Sequence, residues 1–219
     1  TNYMAHENMR LEAQVIACIR DEKKDIYGKM QKLMQEEGTS LEQLEEELKD
    51  KMKKLYLPQP DEKTGIIPQF DGYFDLKEID LSVYKNASVV GTIFHDYSGE
   101  DVQKMQAGKQ ADIVELLYQM EDITTPDNKA KNYVYYEART LHDSSLSKAI
   151  HSITACDLGM EKEAYEMFMS AALTDLGQEM KSSDAGIHSA NMGGVWQDVV
   201  MGFGGIRIRD GHLRIRPNC

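Results

Sequence analysis

A chain of 219 residues with 37 acidic against 25 basic side chains carries a net charge of -12, which argues against a broad surface for nucleic acid or anionic membrane. No apolar run approaches the roughly eighteen residues of a membrane span, no basic-then-apolar leader opens the sequence, and the length suits one large domain with a sizeable core. Three cysteines, Cys18, Cys156 and Cys219, are far apart and show no CxxC spacing, so a reducing, cytoplasmic setting is expected.

The opening "TNYMAHENMRLEAQVIACI" lacks an initiator Met and reads as a helix in mid-phrase, so a preceding segment is expected. Met4, Met9, Leu11, Val15, Ile16 and Ile19 recur as one helical face would. Acidic "QEEGTSLEQLEEELKD" reads as a solvated helix face; Ser40 with Gln43 forms a capping box ahead of Leu41, Leu44 and Leu48, and the helix should run to about Lys54 and stop before Pro58. From Pro58 to Asp75 lie three of the five prolines and the turn pairs Thr-Gly and Asp-Gly, which make a long loop. Its aromatics, Phe70, Tyr73 and Phe74, are more simply packed beneath the loop than arrayed around a ligand.

From Lys109 the helical spacing returns with Ile113, Leu116, Leu117 and Met120. "AIHSITACDLGM" forms the next helix, which Gly159 is placed to end, and "EKEAYEMFMSAALTDL" and "GIHSANMGGVWQDVVMGF" form two more. No βαβ alternation occurs, which excludes the parallel-sheet nucleotide folds. Only the end changes period: "GIRIRDGHLRIRP" alternates around Asp210-Gly211 and predicts a hairpin with a type I′ turn. Helices joined by short turns suggest a bundle or a toroid of α-hairpins.

Chemistry concentrates at two helix starts. "TLHDSSLS" (Thr140 to Ser147) places Asp143, Ser144 and Ser145 just ahead of an apolar run, where capping is the commoner use and binding of a phosphate-sized anion the alternative. "AGIHSANMGG" (Ala185 to Gly194) sets His188 before Gly193 and Gly194, small residues that allow close approach of a ligand or a neighbouring backbone. Lys109 and Gln110 have the chemistry to hydrogen-bond a polyol. GxSxG, HExxH, P-loop and GxGxxG motifs are absent, and the order of Ser, His and Asp between 140 and 151 suggests no triad.

The stretches "GIIPQFDGYFD", "KQAD", "YYEARTLHDSSLSKAIHSITACDLG" and "GIHSANMGGVWQDVVMGFGGIRIRDGHLRIRP", in this order, resemble glycoside hydrolase family 65, a family of maltose, trehalose, kojibiose and nigerose phosphorylases with some related hydrolases. The resemblance implies that residues 1–204 are the C-terminal part of an (α/α)6 barrel and that residues 205–219 begin a further β domain. It implies inverting phosphorolysis of an α-glucosidic disaccharide, with inorganic phosphate as co-substrate, no other cofactor and no metal, giving β-glucose 1-phosphate and glucose.

By the same resemblance, Ser144, Ser145, His188, Gly193 and Gly194 bind phosphate, Lys109 and Gln110 hold the non-reducing glucose, and His142 and Asp143 support the phosphate loop. The family's general acid is a Glu in a "GPDEYH"-like loop shortly before a "TNxMA" segment, so it is expected upstream of Thr1 and these residues alone are expected to be inactive. Self-association or pairing with the missing part of the barrel is expected, and the choice of glucosidic linkage stays open, with the loop from Pro58 to Asp75 one contributor. The alternatives are a hydrolase of the same family and a non-catalytic helical fragment that binds sugar or phosphate.

Overall fold

The computed structural model describes all residues except 86, 88, 89, 111, 177–185, 210 and 219. The expected positions Ala111 and Ala185, the hairpin residue Asp210 with the turn type it would define, and Cys219 lie outside the described residues. Ten α-helices and a terminal β-hairpin are described, in two compact units, Thr1–Leu57 and Pro58–Cys219. Among the described residues no helix is long and apolar enough to cross a membrane.

The first unit holds α1 (Asn2–Glu22), α2 (Lys24–Glu36) and α3 (Leu41–Lys54). Ile16, Leu41 and Leu48 are buried together with Met9, Ala13, Met30 and Met34 around them. The expected face of α1 is thus divided: Met9, Ala13 and Ile16 turn inward while Met4, Leu11 and Val15 are exposed. Ser40 caps α3 as expected, its Oγ accepting from Gln43 N at 3.1 Å, but Gln43 Oε1 takes the Thr39 hydroxyl instead of closing the box. Arg20 grips Glu45 through two nitrogens, at 2.9 and 2.7 Å.

The second unit adds α4 (Ser82–Lys85), α5 (Gly99–Val102), α6 (Asp112–Gln119), α7 (Pro126–Glu137), α8 (Ser147–Asp157), α9 (Glu161–Ala172) and α10 (Ser189–Gln197), which a π-helical turn at Asp198–Phe203 extends. Its core joins Ile66, Ile67 and Tyr73 of the long loop to Ile113, Val114 and Leu117 of α6 and Tyr133 and Tyr136 of α7. That loop is ordered by α7: buried Asn132 accepts from Ile67 N and donates to Gly65 O, each at 2.8 Å. Gly65 has φ +74, and a Cβ there would collide with Asn128. Tyr73 packs under the loop as expected, whereas Phe70 and Phe74 flank it half in solvent.

α8 and α9 form an antiparallel pair, since Lys148 meets Ser170 and Ser152 Oγ donates to Ala164 O at 2.7 Å. Gly159, at φ +70, ends α8 as the sequence predicts. Asn191 of α10 then donates to Ala171 O at 2.8 Å, at the same end of α9 that Lys148 touches. Along α10, a Cβ on Gly194 would lie 3.1 Å from Ala149, and farther on one at Gly202 would lie 3.3 Å from Ile153 Cα. The two helices therefore run parallel, with their N-termini side by side.

The hairpin pairs β1 (Ile206–Arg209) with β2 (His212–Ile215), Ile206 opposite Ile215 and Ile208 opposite Leu213. Facing residues share a side, so these four apolar residues form one face and Arg207, Arg209, His212 and Arg214 the other. Burial is the reverse of the usual pattern. The arginine side turns inward, Arg207 pairing with Glu121 and Asp157 and Arg209 with Glu121, while Ile208 and Leu213 stand 71% and 63% exposed.

Candidate active site

The segment ahead of α8 is held from two directions. Gly108 N donates to Arg139 O at 2.7 Å and Leu141 N donates to Gly108 O at 2.8 Å, so the turn carrying exposed Lys109 and Gln110 lies against the chain entering the serine loop. Thr140 Oγ1 closes the end of α7 by donating to Tyr136 O at 2.7 Å.

Asp143, Ser144 and Ser145 then follow, all half-buried. The capping expected of them is not what they do: the N-cap of α8 is Leu146, with no side-chain hydrogen bond. Among the described residues Ser144 Oγ reaches only Leu146 N, at 3.4 Å. Elsewhere the chain does use hydroxyls as caps, from Ser40, Ser98 and Thr125. At α8 no side chain caps the first turn, whose first N–H is taken by the Ser144 carbonyl at 3.1 Å, and the hydroxyls stand beside the positive end of the helix, an arrangement suited to an anion.

Beneath this loop lies a buried charge cluster. Glu137 ends α7, and its Oε1 accepts from Lys85 Nζ at 2.6 Å while Oε2 stands 3.0 Å from His142 Nε2. His142 Nδ1 is 3.0 Å from Ser147 Oγ. Burial pushes the His142 ring down to about 4, so it is neutral at pH 7. A neutral ring that donates Nε2–H to the carboxylate must accept at Nδ1, which orients the Ser147 hydroxyl toward it. Burial would raise the Glu137 carboxyl, but the hydrogen bond from His142 and the close ring of His151 outweigh it and hold the group well below the usual carboxylate range.

Glu137, His142 and Ser147 are thus connected as carboxylate, imidazole and hydroxyl, a chain that the order of Ser, His and Asp did not suggest because its acid is Glu137. It is not a nucleophilic triad: Ser147 is 1% exposed and no substrate reaches it. The cluster instead braces His142, the one non-glycine among the described residues with positive φ, at +57. His151 Nδ1 comes within 2.5 Å of Glu137 Oε2 but off the line of a hydrogen bond, and its Nε2 has no partner among the described residues. Glu137, His142 and His151 are metal-ligand types within 4.8 Å of one another. The Lys85 ammonium, however, already supplies the positive charge at that carboxylate.

The second start, α10, has His188 as its N-cap, again with no side-chain cap. His188 Nδ1 lies 2.6 Å from Asp175 Oδ1, and its backbone N donates to Asp175 Oδ2 at 2.8 Å. The two expected glycines differ. Gly194 is a packing residue that lets α10 approach Ala149, whereas Gly193 is exposed with nothing within 4 Å of a Cβ. Because α8 and α10 are parallel, Ser144, Ser145 and His188 stand at the same end of adjacent helices.

Where α10 passes into its π-helical turn, Asp198 is fully buried and neither carboxylate oxygen has a hydrogen-bond partner among the described residues. Neighbouring Ser152 has given its proton to Ala164 O, so it can accept from a protonated Asp198 but not donate to an ionised one. Burial accordingly pushes the carboxyl from 3.8 up to about 7. Between those values the folded state holds a proton that the unfolded chain has released. Stability present below about pH 4 is therefore lost as pH rises to about 7, in total about 4 kcal/mol at about 1.4 kcal/mol per unit. Asp198→Asn should remove this slope, read as the difference in Tm between pH 5 and pH 8; an unchanged difference would refute it.

The model of the glycosyl hydrolase family 65 central catalytic domain matches residues 1–197. The chain belongs to family 65. Among its family 65 relatives, a kojibiose phosphorylase of Halothermothrix orenii is 42% identical over 99% of this chain and 27% of its own length. An alpha,alpha-trehalose phosphorylase of Thermoanaerobacter brockii is 34% identical, again over 99% of this chain and 27% of its own. A solved structure of a proposed kojibiose phosphorylase from the human microbiome superposes with a TM-score of 0.82 at 30% identity, over 99% of this chain and 27% of that one. The chain thus spans about a quarter of the length of the curated relatives it matches. Its fold is that of a family 65 segment: mainly α, part of an (α/α)6 barrel, ending in a β-hairpin.

Sequence reasoning marked the serines and His188 at these two helix starts but not Glu137, Lys85, His151, Asp175 and Asp198. Glu137 stood inside the motif "YYEARTLHDSS", yet its partner Lys85 is 52 residues away and nothing local links them.

Proposed function

We propose that residues 1–204 form the later part of the catalytic barrel of an inverting disaccharide phosphorylase, that residues 205–219 open a following β domain, and that the full-length protein cleaves an α-linked diglucoside with inorganic phosphate. The observation that carries this is the parallel packing of two helix starts without side-chain caps, one preceded by Ser144 and Ser145 and the other by His188 fixed on Asp175. Two helix N-termini and three polar side chains converge there on one anion, a stronger site than either start alone.

In the reaction a phosphate oxygen held by Ser144, Ser145 and His188 attacks the anomeric carbon from the face opposite the glycosidic bond. The bond from that carbon to the leaving oxygen breaks, and a carboxylic acid donates its proton to that oxygen, giving glucose and β-glucose 1-phosphate. The acid is a Glu outside these 219 residues. Lys109 and Gln110, positioned by the Gly108 contact, hold hydroxyls of the non-reducing glucose, Gly193 leaves room at the anion, and His142 and Asp143 shape the loop. No cofactor beyond phosphate takes part. Kojibiose is the first substrate to try, because relatives of 42% and 40% identity are kojibiose phosphorylases, while two further kojibiose phosphorylases and a trehalose phosphorylase all lie at 33–34%.

An exposed free thiol at Cys18 suits a cytoplasmic protein. Exposed Trp196 and Leu176 suit a partner surface, to the rest of the barrel or to a second copy. The test is release of glucose from kojibiose, trehalose, nigerose and maltose by the full-length protein, with and without phosphate. Release that requires phosphate and yields β-glucose 1-phosphate is expected. Phosphate-independent release would make the protein a hydrolase, and binding without turnover would make it a sugar-binding relic.

A further inference from the structure

Asp175 takes two hydrogen bonds from one residue, and together they select one tautomer of the neutral histidine. The His188 backbone N–H and ring Nδ1 lie 2.8 and 2.6 Å from its two oxygens. An ionised carboxylate only accepts, so Nδ1 must carry the proton and Nε2 is turned outward. The His188 side chain is 35% exposed and that of Asp175 10%, so the carboxylate lies behind the ring and the ring faces the open end of the helix pair. The two hydrogen bonds hold the Asp175 carboxyl below its ordinary value, so it is ionised wherever the site works.

We propose that Asp175 is the positioning residue of the anion site, fixing the His188 ring with Nδ1 as its donor and Nε2 turned toward the phosphate, where that nitrogen accepts from a phosphate hydroxyl. This rests on the phosphate reading above. Asp175 itself touches no substrate; it acts through His188, as a buried carboxylate orients the imidazole of a hydrolytic triad.

The arrangement makes Asp175→Asn informative. A backbone N–H can only donate, so it claims the amide oxygen and leaves the amide NH2 facing Nδ1. The ring must then accept there and carry its proton on Nε2, the opposite tautomer, which offers a phosphate hydroxyl no acceptor. In the full-length protein with kojibiose saturating, Asp175→Asn should raise KM for phosphate by about tenfold or more, with kcat at saturating phosphate within about threefold, and Asp175→Glu should recover part of the loss.

Nitrogen-15 NMR of histidine-labelled wild-type protein should show His188 protonated at Nδ1, and the Asn variant should show it at Nε2. A wild-type Nε2–H tautomer, or an Asn variant with unchanged KM for phosphate, overturns the proposal; the first measurement decides it even if the variant fails to fold. Ser144→Ala run beside them separates the two readings. If neither it nor Asp175→Asn changes phosphate KM, the phosphate site itself is wrong, whereas a change in Ser144→Ala alone removes only the role of Asp175.

Discussion

Replacing Ser144 and Ser145 together by alanine in the full-length protein should lower kcat/KM for phosphate by about 10²- to 10³-fold, the scale on which a preorganised donor to a developing or bound anion contributes. Neither hydroxyl caps α8, and the 3.4 Å contact of Ser144 is the weakest of the loop's described hydrogen bonds. Loss of both should therefore shift Tm by no more than about 2 °C, since surface changes away from structural features stay within about 0.5 kcal/mol. Activity and stability are thus expected to separate. A double variant that keeps phosphorolysis but melts early would mean that the serines serve the helix and not the substrate.

Glu137→Leu should behave in the opposite way, costing about 3 to 5 kcal/mol of stability as removal of one partner from a buried ion pair does. The carboxylate answers Lys85, His142 and the close ring of His151 at once, and its side chain is only 17% exposed. Without it the Lys85 ammonium keeps only the Glu137 backbone oxygen, and the His142 ring loses the acceptor that fixes its tautomer. Leucine fills the space but answers neither donor. The neutral isostere Glu137→Gln should cost less, because it still offers one oxygen. Thermal and urea denaturation of both variants would measure this, and a Leu variant as stable as the wild type would show that the cluster is spectator chemistry.

What the sequence makes legible follows the range of the interactions. The start of α3 at Ser40, the end of α8 at Gly159 and the hairpin register are each decided within a few residues, and the structure reproduces them. Which side of the hairpin is buried is not, because Arg207 is turned inward by Glu121, 86 residues earlier, and Asp157, 50 earlier. The site divides in the same way. Two polar helix starts mark Ser144, Ser145 and His188 in the sequence, but nothing local shows that α8 and α10 lie parallel. The Asp175 partner of His188 is 13 residues back, too far for a helical or turn pattern to reveal. Capping was the natural expectation for "HDSSLS" because helix starts usually need it; a positive φ at His142 and a leucine at the cap displaced it.

The parallel course of α8 and α10 also makes the paired helix starts a source of internal repulsion. Two helix N-termini side by side present like partial charges to each other, each equivalent to about half an elementary charge. Neighbouring antiparallel helices such as α8 and α9 have no such conflict, since opposite ends meet. An anion seated between the two starts would convert the repulsion into shared attraction, acting as a clamp on the helix pair as well as a reactant. Phosphate would then strengthen the fold with the logarithm of its concentration over its dissociation constant, and the helix pair would be most tightly drawn together with the anion in place.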